Sequence, residues 1–369
     1  MPNAHAIIEA MERIAPPRLA CEGDPVGLQA GRRDRRVRRV LLALDVTEGT
    51  VTEAGRRKAE MLISHHPAFY KGLQRLDEEE TKGALAAAIA RAKLTVYAAH
   101  TNLDIAPGGV NDCLADAVGL GPDRRPLRPT GRDAFLKLTI YVPDSHLPVV
   151  RKAICDAGAG RWGEYADCTF RVEGTGAFRC GAATRPHIGA PGRYEETPEW
   201  RLESRLLSSD RPAIEAALLG AHPYETPAYD FAVLDDGVPC GLGRLGTLAE
   251  PLRLDALAER LAGTLKAPGV QVCGAARRTV RRAAVWSGAG PPVEQAARAG
   301  ADALVCGECS YHDAETAAHH GLGIVRLGHG VSERLALPTL ARRLRRALPK
   351  VTFLLSRDRA APFRNVGPD

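Results

Sequence analysis

The segment MLISHHPAFYKG (Met61–Gly72) places two adjacent histidines at the end of an apolar run, directly before a proline. The apolar run predicts a buried strand. Successive side chains of a regular strand point to opposite faces, so His65 and His66 can serve neighbouring sites only where the strand ends and the chain turns. The alternative is one packed imidazole and one solvated imidazole, and the pair taken alone favours that alternative.

The segments around this stretch alternate between strand and helix patterns. After an N-terminal amphipathic helix, the patterns predict strands at 38–46, 59–66 and 94–100 and helices at 48–58, 82–93 and 109–120. Such alternation indicates an α/β layer with a mostly parallel sheet. Residues 119–133 are rich in Gly, Pro and Arg, which indicates a linker.

The middle of the chain follows a different order. Between residues 135 and 234 the patterns run strand, helix, strand, strand, helix, strand, which is the ferredoxin-like order. Alternating strands and helices resume afterwards, with strands at 281–288, 301–307 and 321–328. We therefore predict a discontinuous α/β domain, residues 1–130 and 237–369, interrupted by a small ferredoxin-like α+β insert at residues 131–236.

The composition restricts the class of protein. The chain of 369 residues is 45% hydrophobic and 25% charged, as in ordinary soluble domains. No apolar run approaches the ~20 residues that span a bilayer, and the N-terminus has no signal-peptide pattern. Nine irregularly spaced cysteines favour a reducing cytoplasm over a disulfide framework. The net charge of +6 is spread along the chain, so neither a membrane nor a nucleic-acid partner is supported.

Two further polar groups follow predicted strands. His100 and Asp104 come after the strand at 94–100, where a carboxylate could bridge two cations; the alternative is an Asx-type turn. His329 and Glu333, four apart after the strand at 321–328, would share one face of a helix. Taken alone, a solvent-facing pair is the simpler explanation of those two residues.

A fourth polar group also follows a predicted strand, and two further segments resemble metal sites without supporting one. Glu308 and His312 are also four apart after a strand and could act as a proton relay. Because all four groups follow apolar strands, where ligand crevices of α/β sheets lie, a shared site is favoured. His319 and His320 end a helix and are predicted to be surface residues, and the lone C-x-x-C at Cys306 and Cys309 does not support a zinc ribbon.

These motifs resemble the Nif-three-like family, also called dinuclear metal-centre proteins and type 2 homologues of GTP cyclohydrolase I. The resemblance rests on ISHHP, HTNLD, GGVND and GHGVSE, in this order along the chain. GDPVGLQAG is similar to the family's WDNxGLQxG, without the aromatic residue and with Pro25 in place of asparagine. VCGECSYHDA is similar to TGDxxxHDA, with Glu308 in place of aspartate. The insert resembles the extra domain of the longer bacterial members, and its segment HPYET could be a site or, more simply, a capped turn.

The resemblance implies two divalent metal ions and a homohexamer built as a ring of trimers. The ligands it implies are His65, His66, Asp104, His329 and Glu333, and it leaves His100, His312 and Glu308 as neighbours that orient ligands or move protons. Mixed imidazole and carboxylate ligands suit zinc, iron or manganese. Two such ions favour hydrolysis of a nucleotide or another phosphate-containing small molecule. The alternative is a metal-handling or regulatory assembly without turnover.

Overall fold

The chain divides into two compact units. The computed structural model describes residues 2–357. One unit contains the residues up to Thr130 together with those from Cys240 onward, and the other is Gly131–Pro239. Residues 358–369 of the predicted outer domain lie outside the described residues. Three β-sheets with flanking helices confirm the α/β class, and none of the described helices is long and apolar enough to cross a bilayer.

The N-terminal part alternates helices and strands as its sequence patterns predict. Its elements are α1 (Ala4–Ile14), β1 (Gly27–Ala30), β2 (Arg39–Ala43), α2 (Glu48–Arg56), β3 (Met61–Ser64), α3 (Thr81–Arg91), β4 (Thr95–Ala98), α4 (Thr101–Ile105) and α5 (Val110–Val118). Side chains fix two helix starts: Asn3 accepts a hydrogen bond from the Ala6 backbone, and Thr47 forms a capping box with Thr50. The short helix α4 has no sequence prediction, because five residues are too few for a periodic signal.

The second unit has the β-α-β-β-α-β order. Its elements are β5 (Arg128–Pro143), α6 (Leu147–Asp156), β6 (Thr169–Arg179), β7 (Tyr194–Leu207), α7 (Arg211–Ala221) and β8 (Tyr229–Leu242). The sheet order is β6-β7-β5-β8. In place of a linker through residue 133, the structure has a strand that begins at Arg128. Pairing of β5 with β8 overrides the low strand propensity of this segment. Gly241 of β8 lets the two backbones approach closely, because a Cβ at this position would lie 2.1 Å from the Arg128 carbonyl oxygen.

The C-terminal part returns to alternating strands and helices. Its elements are β9 (Arg244–Arg253), α8 (Leu254–Leu265), β10 (Gln271–Cys273), β11 (Thr279–Trp286), α9 (Val293–Arg298), β12 (Ala303–Cys306), α10 (Tyr311–His319), β13 (Gly323–Arg326), α11 (His329–Arg334), α12 (Leu337–Ala347) and β14 (Thr352–Leu355). The strand β14 returns to pair in parallel with β2.

The first unit contains two five-stranded sheets. Their orders are β1-β4-β3-β2-β14 and β10-β13-β12-β11-β9. Strands β14, β2, β3 and β4 run in parallel, as do β11, β12 and β13, whereas β1, β9 and β10 add antiparallel edges. The carboxyl ends of the parallel strands in each sheet therefore meet at one edge, which is where α/β proteins place their ligands.

Both faces of the first sheet are covered, which explains its uninterrupted apolar strands. Leu42 and Ile63 pack with α1 and α12, while the neighbouring Leu41 and Leu62 pack with α2 and α3 on the opposite face. The second sheet is covered in the same way, by α5 and α8 on one face and by α9 and α10 on the other.

Candidate metal centre

The paired histidines lie where β3 ends. His65 and His66 continue the backbone pairing of the strand, since their N–H groups donate to Ala43 and Leu44. The Ser64 hydroxyl then donates to the His66 carbonyl oxygen over 2.8 Å, which closes a turn. This turn releases both imidazoles from the alternation of a regular strand, so both can face one site.

The five residues expected as metal ligands come together. Asp104 lies in α4, after β4, and His329 and Glu333 occupy successive turns of α11, after β13. Glu333 Oε2 lies 3.1 Å from His66 Nε2 and 3.3 Å from His329 Nε2. His65 Nε2 lies 3.7 Å from Glu333 Oε1 and 3.7 Å from Asp104 Oδ1.

The donor atoms form two overlapping groups that could each hold a metal ion. One group is His65, His66 and His100, and the other is His66, His329 and Glu333. Within each group the ligand atoms lie within 4.8 Å of one another. The two groups adjoin at His66, whose Nε2 can bind one cation. Glu333 turns Oε1 toward His65 and Oε2 toward His66 and His329, so its carboxylate could serve two neighbouring cations. His100, which the sequence analysis placed among the neighbours, lies with the donors.

Two buried polar atoms at the centre have no hydrogen-bond partner among the described residues. They are His65 Nε2 and Glu333 Oε2. The imidazoles near Glu333 Oε2 approach it closely but without the direction of a hydrogen bond. Buried polar groups without partners are rare in folded proteins, whereas lone pairs that converge on a common point are what a cation requires. These two atoms therefore fit a metal better than a hydrogen-bonded core.

Groups behind the imidazoles fix the direction of three rings. His65 Nδ1 donates to the Ala99 carbonyl oxygen over 2.9 Å. His66 Nδ1 donates to Asp45 over 2.7 Å, and His100 Nδ1 donates to Asp24 over 2.9 Å. In each ring Nδ1 is therefore engaged and Nε2 faces the centre, which is the arrangement typical of metal-bound histidine. Neither carboxylate was among the residues predicted from the sequence, although Asp45 follows β2 and so carries the same signal as the other candidates.

The second sheet also supports the site. The Ser287 hydroxyl, just after β11, donates to Asp104 Oδ1 over 3.2 Å. Gly288 follows with a φ of +67°, and a Cβ there would lie 2.6 Å from Glu333 Oε1. A side chain at this position would displace the carboxylate, so this glycine is needed for both its conformation and its small size.

Electrostatics make the centre attractive to cations. Burial raises the pKa of Glu333, but the adjacent imidazoles outweigh burial and hold it far below its usual range. Burial lowers the pKa of His66, yet its contacts with Asp45 and Glu333 raise it to about 10. Burial raises the pKa of Asp104, and His65 only partly offsets this effect. Glu333 is thus an anion, and protonated imidazoles balance its charge. A divalent cation can replace the protons of these imidazoles.

The remaining candidates separate into near and remote residues. Glu308 lies at the centre, with Oε2 3.4 Å from His329 Nδ1 and a side chain that is 39% exposed. The side chain of His312 is 88% exposed and pairs with Glu315, and no contact within residues 2–357 joins it to the centre. His319 and His320 are exposed, as expected for the end of α10.

The HPYET segment of the second unit is a turn held by hydrogen bonds. His222 Nε2 donates to the Tyr141 carbonyl oxygen over 2.9 Å, and His222 Nδ1 accepts from the Tyr224 backbone over 3.1 Å. Both ring nitrogens are therefore occupied. This is the simpler of the two readings that the sequence left open.

Comparison with known proteins gives the family. The family model for Duf34/NIF3 (NGG1p interacting factor 3) matches residues 2–362. The chain belongs to this family. Among curated relatives, proteins named "GTP cyclohydrolase 1 type 2 homolog" are 39% identical over 333 residues in Halalkalibacterium halodurans and 37% identical over 344 residues in Bacillus subtilis. These alignments cover 90% and 93% of this chain and 89% and 92% of the relatives.

Solved structures agree with this assignment. A Bacillus cereus protein related to NIF3 has a TM-score of 0.84 and 38% identity, and the alignment covers 99% of each chain. A Staphylococcus aureus protein has a TM-score of 0.69 and 26% identity, again over 99% of each chain. The Nif-three-like resemblance and its α/β fold are thereby confirmed.

Proposed function

We propose that this Duf34/NIF3 protein is a metal-dependent hydrolase that acts on a nucleotide or another phosphate-containing small molecule. The observation that carries the proposal is the pair of overlapping donor groups that share His66, with two buried donor atoms at their centre. The names of the curated relatives, homologues of a GTP cyclohydrolase, support a nucleotide substrate.

The donor chemistry fits two divalent ions. His65, His66, Asp104, His329 and Glu333 would hold them, and the place of His100 in the first donor group supports adding it to the set. Imidazole with carboxylate suits zinc, iron or manganese. Such ions lower the pKa of a bound water to about 7 and polarise a substrate oxygen. The chain's own contribution is to hold the rings through Ala99, Asp45 and Asp24 and to keep Asp104 in place through Ser287.

Two partly exposed groups could act on the substrate. Glu308 is a carboxylate beside His329 that solvent can reach, so we assign it the role of general acid or base. Tyr70 is 57% exposed, and its ring lies edge-on to His100 with 6.1 Å between the ring centroids. An exposed aromatic face at the margin of the centre suits stacking of a nucleobase. His312, remote from the centre in this chain, has no role in the proposal.

The proposal is tested with metal and substrate together. The protein is loaded with zinc, manganese or ferrous iron, its metal content is measured, and it is offered nucleoside triphosphates, cyclic nucleotides and phosphodiesters. We expect turnover that the variants His66→Ala and Asp104→Ala abolish and that Tyr70→Ala weakens mainly through KM. His320→Ala, a histidine outside the centre, is the matched control and retains both metal and activity.

The outcomes distinguish two functions. Turnover that persists in His66→Ala would overturn the hydrolase proposal. Bound metal without turnover of any substrate would instead favour the metal-handling or regulatory assembly.

We also propose that the chain forms a homohexamer in the cytoplasm. The family resemblance supports the assembly, and the irregular spacing of the nine cysteines along the chain favours a reducing compartment. Light scattering coupled to size-exclusion chromatography tests the assembly directly, since a monomer or dimer peak at micromolar concentration contradicts it.

A further inference from the structure

The candidate metal centre draws on Glu308 of the neighbouring C-x-x-C segment but on neither of its cysteines. Cys306 is the last residue of β12, and Cys309 directly precedes Ser310, which caps α10. The segment is thus a strand–turn–helix connection with one cysteine at each end. Cys309 packs against the buried cluster that contains Cys306, so the two side chains lie on the same side of this turn.

The two cysteines differ in access. Cys306 is fully buried, at 0% exposure. Cys309 lines an open cleft of about 550 Å³, together with Cys273, Tyr311 and Arg326. An attacking thiol must be reachable, whereas a resolving thiol needs only to reach its partner. The geometry therefore assigns the first role to Cys309 and the second to Cys306.

The surroundings favour a thiolate at Cys309. The hydrogen bond from the Cys306 thiol lowers the pKa of Cys309 to about 7; Arg326 acts in the same direction, and burial and Asp313 oppose it. The same hydrogen bond, together with burial, raises the pKa of Cys306. The N-terminus of α10, which begins two residues after Cys309, also favours negative charge. A low-pKa reachable thiol beside a buried one is the arrangement of a redox-active pair.

We propose that Cys306 and Cys309 form a redox-active dithiol that undergoes thiol–disulfide exchange with a small disulfide or a partner's disulfide at the cleft. The Cys309 thiolate attacks one sulfur of the incoming disulfide, which forms a mixed disulfide and releases the first thiolate. The Cys306 sulfur, losing its proton, then attacks the Cys309 sulfur, which forms the internal disulfide and releases the second thiolate. The two cysteine protons end on the two released thiols, so the incoming disulfide is reduced by two electrons and the pair is oxidised by two.

The test uses the full chain and oxidised glutathione as the probe. After incubation, remaining thiols are alkylated and the protein is digested with trypsin, which releases Cys306 and Cys309 together on the peptide from Ala299 to Arg326 and Cys273 on another. We expect the first peptide to resist alkylation and to lose the mass of two hydrogens. Cys306→Ser should instead accumulate glutathione on Cys309, and Cys309→Ser should leave Cys306 reduced.

Two controls keep the result interpretable. Cys273→Ser is the matched variant in the same cleft and should leave the internal disulfide unchanged, and thermal unfolding checks that each variant is folded. Alkylation of Cys309 at pH 7 should be about threefold faster than that of an unperturbed thiol, because a larger thiolate fraction outweighs its lower nucleophilicity. A disulfide between Cys273 and Cys309, or an Ala299–Arg326 peptide that stays reduced in excess oxidised glutathione, would overturn the proposal.

Discussion

The Nδ1 atom of His66 lies 2.7 Å from Oδ1 of Asp45, a residue of another strand end. Asp45 follows β2 and His66 follows β3, and these neighbouring strands are in parallel register. The carboxylate therefore fixes which nitrogen of the ring faces the centre. Because His66 is the histidine that both donor groups share, this hydrogen bond orients a donor at the point where the two groups adjoin.

Asp45→Asn should weaken metal binding without unfolding the protein. An amide is a poorer acceptor, so the imidazole is held less firmly and is less basic. Loss of such outer hydrogen bonds lowers metal affinity by about 10- to 100-fold. Isothermal titration with Zn²⁺ measures the effect, and Asp34→Asn, an exposed carboxylate that pairs with Arg32, is the matched control. Equal affinity of Asp45→Asn and the natural protein would show that the contact does not support a metal ligand.

Metal affinity should rise with pH. Before metal binds, His66 has its pKa raised to about 10 by Asp45 and Glu333, and the pKa of His65 is also raised, since Asp104 and Glu333 outweigh its burial. Each ring must lose a proton from Nε2 to coordinate a cation. Binding therefore releases protons throughout the range below pH 10, and higher pH favours the bound form.

Calorimetry in buffers of different ionisation enthalpy measures this proton release. Titrations between pH 6 and pH 9 should show metal affinity that increases with pH. At neutral pH, each metal ion bound should cause a net release of protons. The Glu333→Gln variant removes an anion that keeps these imidazoles protonated and should release fewer protons, besides binding metal more weakly. A binding constant that does not change with pH would contradict the assignment of these rings as ligands.

A buried ion pair in the first unit should matter for stability. Arg244 Nε and Nη2 donate to the two carboxylate oxygens of Asp112 over 2.7 and 3.0 Å, and both side chains are buried. Arg244→Met leaves the buried carboxylate with only the Gly108 N–H and the more distant Arg124, and it should lower the free energy of unfolding by up to about 3–5 kcal/mol. Urea denaturation measures the change. Arg298→Met breaks only an exposed pair with Glu294 and should cost less than about 1 kcal/mol.

The same pair predicts a direction for acid sensitivity. Burial raises the pKa of Asp112, but Arg244 outweighs burial and the net pKa is lowered. A carboxylate with a lowered pKa in the folded state contributes stability above its unfolded pKa of about 4, and that contribution is lost as the pH falls further. The stability difference between the natural protein and Arg244→Met should therefore shrink below pH 4. A difference that stays constant from pH 7 to pH 3 would contradict this account.

The oxidation state of Cys306 and Cys309 should change the affinity of the candidate centre for metal. Glu308 lies between Cys306 and Cys309, its backbone N–H donates to Gly288 over 2.7 Å, and its carboxylate lies 3.4 Å from His329 Nδ1. A disulfide across this short loop would constrain the backbone of Glu308. Zn²⁺ affinity, measured by isothermal titration, should therefore differ between the oxidised and reduced protein, and Cys306→Ser should abolish the difference. Identical affinities would show that the dithiol and the metal centre are independent.

The strand ends show how much of the site could be predicted from sequence. His65, His66, Asp104, His329 and Glu333 each follow an apolar run, and parallel strands bring such ends to one edge of a sheet. The pattern of residue types was enough to single them out as candidates, and the family resemblance then implied that they form one ligand set. The α/β class and the strand–helix order of the insert also followed from the pattern. Local patterning fixes these features because the hydrophobic period and the position of a strand end are properties of a short segment.

Other features depended on contacts between distant segments. Asp24 contacts His100 across 76 residues, and Ser287 contacts Asp104 across 183 residues. The division of the outer domain into two sheets, and the strand that begins at Arg128 within a predicted linker, also depend on pairing partners elsewhere in the chain. His312 follows a strand like the other candidates, yet it lies on the exposed side of α10 and away from the centre.

The sequence by itself determined most of the segments that form strands and helices and many of the side chains that stand at strand ends. Only the tertiary structure decided that His100 joins the donors, that His312 does not, and that Cys306 is buried whereas Cys309 lines an open cleft. The physical reason is that hydrophobic periodicity specifies the element and its buried face, whereas the direction of a polar side chain is set by hydrogen-bond partners that folding brings from remote parts of the chain.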